Sequence, residues 1–93
     1  MYDVKICEAI KHLACLQITY EGTIRLVEPH AYGHDKAGHE LLRAWQTQPA
    51  PEDWRSFRVD KATSIAITIT RFSGPRRGYV RNDKSMTRIY CQL

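Results

Sequence analysis

Trp54-Arg55-Ser56-Phe57-Arg58-Val59-Asp60-Lys61 holds alternation, aromatic anchors and three basic side chains within eight residues. At the two-residue period of a strand, Trp54, Ser56, Arg58 and Asp60 share one face, and Arg55, Phe57, Val59 and Lys61 share the other. One reading is a half-buried strand whose charged residues sit in solvent. The other is a recognition strand, because the planar fork of arginine suits phosphate or carboxylate and aromatic rings stack on bases. The segments on either side decide between the two.

Downstream, Ser64-Ile65-Ala66-Ile67-Thr68-Ile69-Thr70 alternates cleanly as a further strand. Upstream, Thr47 to Pro51 holds two prolines and reads as a loop, preceded by a strand over Glu40 to Gln46. Gly33 to Gly38 is a polar turn. Before it, Thr23 to Tyr32 reads as a strand that Pro29 places at an edge or bends with a bulge, since proline cannot donate to a ladder. Glu21-Gly22 is a turn, and Leu16, Ile18 and Tyr20 alternate with Gln17 and Thr19 as the first strand. Asp3 caps a helix in which Ile6, Cys7, Ile10, Leu13 and Ala14 keep helical spacing through about residue 14. After the last strand, Phe72 to Gly78 is Gly/Pro/Arg-rich and reads as an extended arm with a basic triplet, Arg76, Arg77 and Arg81. Asn82 caps a short final helix carrying Met86, Ile89 and Tyr90. The expected fold is mainly β and a single domain over 1–93, with a helix over 1–15. A five-stranded antiparallel small barrel or half-open sheet follows over 16–71, then a basic arm and short helix over 72–93. No crossover helices are available for a parallel sheet.

Ninety-three residues allow one modest core. Fourteen Lys and Arg, nine of them Arg, against ten Asp and Glu give a net +4, which permits an anionic partner without demanding one. The start has neither a basic nor an apolar leader region, and no apolar run approaches a membrane span. Cys7, Cys15 and Cys91 are odd in number and widely spaced, so buried thiols and a reduced, cytoplasmic setting are expected, with no disulfide and no cysteine-based zinc site.

Three constellations bear on chemistry. His34 and His39 flank the Gly33–Gly38 turn and His30 precedes it, but the spacing matches no metal motif, so no metal and no cofactor is expected. No nucleophile elbow, metalloprotease helix or P-loop is present, and the chain is not expected to be an enzyme. A metal-dependent nuclease would need carboxylates converging with His30 and His39. The third constellation is Arg25, Arg43, Arg55 and Arg58, which lie on three strands among Tyr20, Tyr32, Trp45 and Trp54. On one face they would form an anion site with stacking surfaces. The plain alternative pairs each arginine with Glu21, Glu28, Asp53 or Asp60.

Four blocks in order carry a family resemblance. Tyr20-Glu21-Gly22-Thr23-Ile24-Arg25, Val27-Glu28-Pro29-His30, Gly38 to Trp45 and Trp54 to Lys61 resemble the WYL-domain pattern Y-x-G-x-x-R, V-x-P, G-x-W-Y-L-x-A-Y and R-x-F-R-x-D-R-I. The likeness covers roughly residues 4 to 71. It implies a helix followed by an Sm-like, SH3-type barrel that senses a nucleotide or nucleic-acid ligand within bacterial or phage-defence transcription regulators. It places the binding face on Arg25, His30, Arg43, Arg55 and Arg58. Tyr32, Trp45 and His30 would stack or orient a base, and Trp54 would belong to the core. The sequence departs from the family tripeptide, reading Glu40-Leu41-Leu42, which removes a ligand-side hydroxyl and adds a negative charge near the site. With one short helix before the sheet, direct operator reading is not expected. The expected function is therefore a non-catalytic module that binds a nucleotide or single-stranded nucleic acid through its arginine face. The alternative is a protein-interaction module, docking on a partner or on a second copy as a homodimer.

Overall fold

In the computed structural model, which describes residues 3–93, the chain is mainly β. Helix α1 (Val4–His12) is followed by strands β1 (Ala14–Tyr20), β2 (Thr23–His34), β3 (Glu40–Gln48), β4 (Asp53–Arg58), β5 (Ala62–Arg71) and β6 (Arg88–Gln92). A single turn of 3-10 helix, Val59–Lys61, joins β4 to β5. All ladders are antiparallel, in the order β4-β3-β2-β1-β5, with β6 paired to β2.

Local chemistry accounts for the helix and the first turns. Asp3 caps α1, its carboxylate accepting the Lys5 N–H at 2.9 Å, and Ile6, Ala9 and Ile10 form the buried stripe. The helix ends one to two residues sooner than its apolar spacing predicts. Leu13 adopts φ 55° and returns its N–H to Ala9 and Ile10, and Ala14 already begins β1. Glu21 and Gly22 both take positive φ, as a two-residue hairpin turn requires, so Tyr20 faces Thr23 directly. In the β2–β3 turn, the Asp35 carboxylate accepts the N–H groups of Ala37 and His39, and Gly38 supplies a φ of 86°.

The sheet rolls on itself. A flat sheet would hold β1 and β4 about 14 Å apart, at three strand spacings. Instead, the Tyr20 and Phe57 rings meet edge-to-face at 5.0 Å, and the Arg58 N–H donates to the Tyr20 hydroxyl at 3.2 Å. The enclosed side, with Leu16, Ile18, Val27, Tyr32, Leu42 and Phe57, packs on α1 to form the core. Closure stops short of the expected barrel, because no ladder among the described residues joins β4 to β5.

The final helix expected from Asn82 onward is absent, and its residues divide between a turn and a strand. The Asp83 carboxylate binds the Ser85 N–H and hydroxyl, and β6 pairs with the second half of β2, where β1 has ended. Met86, Ile89 and Tyr90 are periodic in sequence, but the free edge of β2 offers Arg88–Gln92 a complete ladder that a short isolated helix cannot match. Gly33 permits this pairing, since a Cβ there would collide with the Arg88 carbonyl. The same ladder brings Cys91 beside α1, where it forms a disulfide with Cys7 across a sequence separation of 84. The expected set of three free thiols is thereby reduced to one, buried Cys15. No helix among the described residues is long and apolar enough to cross a membrane.

Candidate anion-binding surface

Strand register divides the predicted arginine set between two faces. Leu42 opposes Phe57 and Ala44 opposes Arg55, so Arg55 shares the core-side face, although it lies exposed at the sheet's end. Arg43 opposes Ser56 and Leu41 opposes Arg58, which puts Arg43 and Arg58 on the outer face with Trp45 and Trp54. Arg25 opposes Ile18 and therefore points to the core side. The four arginines do not converge, and the expected single arginine face is not formed. A two-residue period imposes this on any set that mixes odd and even positions along paired strands.

Each predicted site residue has its own surroundings. Arg25 sits at the mouth of the core between the Tyr20 and Phe57 rings, 5.7 and 5.9 Å from their centres, and donates to Gln46, the Tyr20 carbonyl and Glu21. Its Nε is buried with no partner. Arg58 holds Asp60 through two bonds, at 3.1 and 2.7 Å. This pairing holds the Asp60 carboxyl below its usual range. Arg43 donates to the Ser56 hydroxyl and lies 5.2 Å over the Trp54 ring. Arg55 is exposed on β4. Tyr32, expected to touch ligand, is a fully buried core residue; its hydroxyl accepts the Asp3 N–H and donates to Glu40. Burial is the chief cause of its raised pKa. Trp45 lies on the outer face and donates to Glu52.

His30 is the largest departure from the expected binding face. The β2–β3 register runs from Pro29–Ala44 to Ala31–Arg43 and passes over His30, so the irregularity after Pro29 leaves this imidazole on the outer face with Glu28 while Tyr32, two residues on, turns to the core. There it is 0% exposed, packed by Trp54 at 4.7 Å, Tyr79 at 5.1 Å and Phe72 at 5.6 Å. Both ring nitrogens are engaged. Nδ1 donates to the Glu28 carbonyl at 2.8 Å, which leaves Nε2 as the acceptor of the Arg76 N–H at 3.0 Å. Burial first of all, then the Arg76 and Arg43 charges, push its pKa down, against an upward pull from Glu28. A neutral imidazole is what these bonds require.

The arm over residues 72–87, which has no regular secondary structure, covers this face. The Arg76 guanidinium grips the Glu28 carboxylate through two bonds at 2.7 and 2.8 Å and lies 5.4 Å over the Trp45 ring. Trp54, expected in the core, donates its indole N–H to the Arg77 carbonyl at 3.1 Å. The Tyr79 ring stacks on Trp54, and its hydroxyl reaches the carbonyls of His30 and Leu93. At Gly78, with φ 88°, a Cβ would approach the Trp54 Nε1 at 3.2 Å, so the backbone lies close upon the indole. The aromatic platform expected for bases is thus filled by the protein's own side chains.

What the arm presents to solvent is charge. Residues 71–88 carry six cations, Arg71, Arg76, Arg77, Arg81, Lys84 and Arg88, against Asp83 alone, a net +5 in a chain of net +4. The remainder is therefore slightly acidic. Of these six, only Arg76 pairs with an Asp or Glu side chain among the described residues, while Arg81 donates to the Leu93 main-chain oxygen at 2.7 Å and Arg71 to the His12 carbonyl at 3.2 Å. The basic triplet was visible in the sequence; the contacts missed were those of Glu28 and Tyr79, which lie 48 residues from Arg76 and 49 from His30 respectively. The histidines near the β2–β3 turn are bound elsewhere, His34 to the Tyr90 hydroxyl at 2.7 Å and His39 to Asp35 at 3.3 Å. Among the described residues no three His, Cys, Asp or Glu side chains gather as a metal group would need.

No family model, no curated protein and no solved structure matches this chain.

Proposed function

We propose that this protein is a non-catalytic, regulatory binding module that holds a nucleotide or single-stranded nucleic acid by its phosphates, on the basic surface of the 71–88 arm. The observation carrying this reading is the segregation of charge: a net +5 over residues 71–88, the arm with its flanking Arg71 and Arg88, of whose six cations only Arg76 holds an Asp or Glu side chain among the described residues, against a slightly acidic remainder. Clustered arginines without intramolecular ion pairs suit phosphate, whose neutralisation releases counterions. Because Trp45, Trp54 and Tyr79 pack against the arm's own residues, the reading is one of backbone contact with little base discrimination. We further read the rolled sheet as a WYL-type, Sm-like and SH3-type barrel left open between β4 and β5. The order of the four sequence blocks, the preceding helix and the single 3-10 turn before β5 support that reading.

Fluorescence anisotropy of labelled single-stranded RNA and DNA across a salt series tests it. Binding is expected to weaken with salt. In Arg77→Ala/Arg81→Ala the log–log slope should be shallower by about 1.4, two single-strand phosphate contacts having been lost. Arg25→Ala/Arg58→Ala, which removes arginines already paired within the sheet, should bind close to normally. Absence of binding at low salt, or undiminished binding by the arm variant, overturns the proposal.

A further inference from the structure

β5 ends the sheet and pairs with β1 on one side only. An edge strand of this kind presents unpaired N–H and C=O groups, which proteins ordinarily guard with charge, proline or a covering element. Residues 62–70, Ala-Thr-Ser-Ile-Ala-Ile-Thr-Ile-Thr, contain neither a charged residue nor a proline. Ile67 is 42% exposed and Ile69 is 99% exposed. Lys5 reaches across, its Nζ donating to the Ile65 carbonyl at 3.0 Å, and an exposed, flexible lysine is readily displaced. Beside the strand a groove of about 440 Å³ opens between α1 and β5, lined by Glu8, His12, Ala14, Ile67, Ile69 and Arg71.

We infer that β5 is a self-association edge, on which the β5 of a second copy of this chain pairs antiparallel about a two-fold axis. The strand itself identifies the occupant. Centred on Ile67, it reads alike in both directions: Ile67 meets its own copy, Ile65 meets Ile69, Ala66 meets Thr68 and Ser64 meets Thr70. Such a self-complementary patch is what an isologous two-fold contact needs. Ile65 and Ile67 share the face that Ile18 and Leu16 occupy on β1, while a one-residue slip of the self-pairing would set isoleucine against threonine or alanine. A partner selected by charge would find none along 62–70, and the repulsive +5 of the protein belongs to the sequence that follows. The register with β1 also breaks between Ile67 and Arg71, where the Thr68 hydroxyl binds the Cys15 carbonyl. That irregularity leaves Ile69 in solvent, covering nothing on its own protomer.

Sedimentation velocity from micromolar to submillimolar protein, together with amide hydrogen exchange at both extremes, tests the pairing. Wild type is expected to move from monomer toward dimer, with new protection confined to β5. Ile69→Lys places a charge at a fully exposed position and should leave thermal unfolding unchanged while weakening association by about tenfold or more. Arg77→Ala/Arg81→Ala should dimerise as wild type does, so failure of the anion-binding reading would leave this one standing. A wild type that stays monomeric, an Ile69→Lys variant that associates as tightly as wild type, or association without added protection in β5 overturns the inference.

Discussion

Glu28, His30 and Arg76 show how one bulged residue reorganises a face. Glu28 is 7% exposed at its side chain, and its carboxylate has the Arg76 fork as its counter-charge. Removing the arginine strands that charge under the arm, whereas its neighbour Arg77 is exposed. Arg76→Ala is therefore expected to lower unfolding free energy by about 2–3 kcal/mol, discounted from a fully buried pair because Arg76 is itself partly exposed. Arg77→Ala should change it by less than about 0.5 kcal/mol. Urea unfolding of the two variants checks the contrast, and equal effects would mean that the Glu28 pair contributes nothing. His30 adds a pH dependence of definite sign. Its folded pKa lies below the ordinary value of 6.5, so below pH 6.5 the unfolded chain takes up a proton that the folded ring refuses. The stability it supports is complete above pH 6.5 and declines as pH falls toward the lowered folded value. Urea midpoints between pH 5 and 8 should fall on the acid side in wild type. His30→Phe, which cannot titrate, should lose this component.

At the level of elements, the decisive pieces are those that cover edges or leave them bare. β2 is long enough to change partners, with β1 beside its first half and β6 beside its second. β6 is held twice, by that ladder and by the Cys7–Cys91 disulfide to α1. A link closing 84 residues of separation restricts the unfolded chain strongly. The chain-entropy account puts its loss at about 4–5 kcal/mol. Reduction under native conditions is expected to lower the thermal midpoint, with β6 amides the first to exchange. An unchanged midpoint after reduction would show that the ladder alone holds β6. β5, by contrast, has no covering strand on its outer edge and no charge before its last residue, Arg71, which is why self-pairing is argued from that strand.

Across the whole molecule, shape and charge are separated. The rolled sheet and α1 supply an apolar core cluster, and the net positive charge lies outside it, on residues 71–88. Moderate salt should therefore scarcely change the unfolding midpoint while steeply weakening polyanion binding, because screening acts on exposed charges and leaves burial almost untouched. Parallel loss of both with salt would place the cations among the groups that hold the fold.

Alternation, turn residues and the Asp3 cap were enough to specify one helix followed by five strands, because those signals act over two to four residues, although the strand expected over residues 54–61 ends at Arg58 and gives way to the 3-10 turn Val59–Lys61. Pro29 marked an edge or a bulge for the same reason, and the sheet register shows which. The sequence also showed the arm as extended and basic, since glycine, proline and arginine need no partner to be recognised. Register decided the rest. Which parity of each strand faces the core is a property of the paired sheet, and it sent Arg25 and Arg55 to one side and Arg43 and Arg58 to the other. The burial of His30 and Tyr32, the β6 ladder and the Cys7–Cys91 bond all join residues far apart in the chain. Such contacts form only when the sheet has rolled and its free edges compete for strands, and no local pattern records that competition.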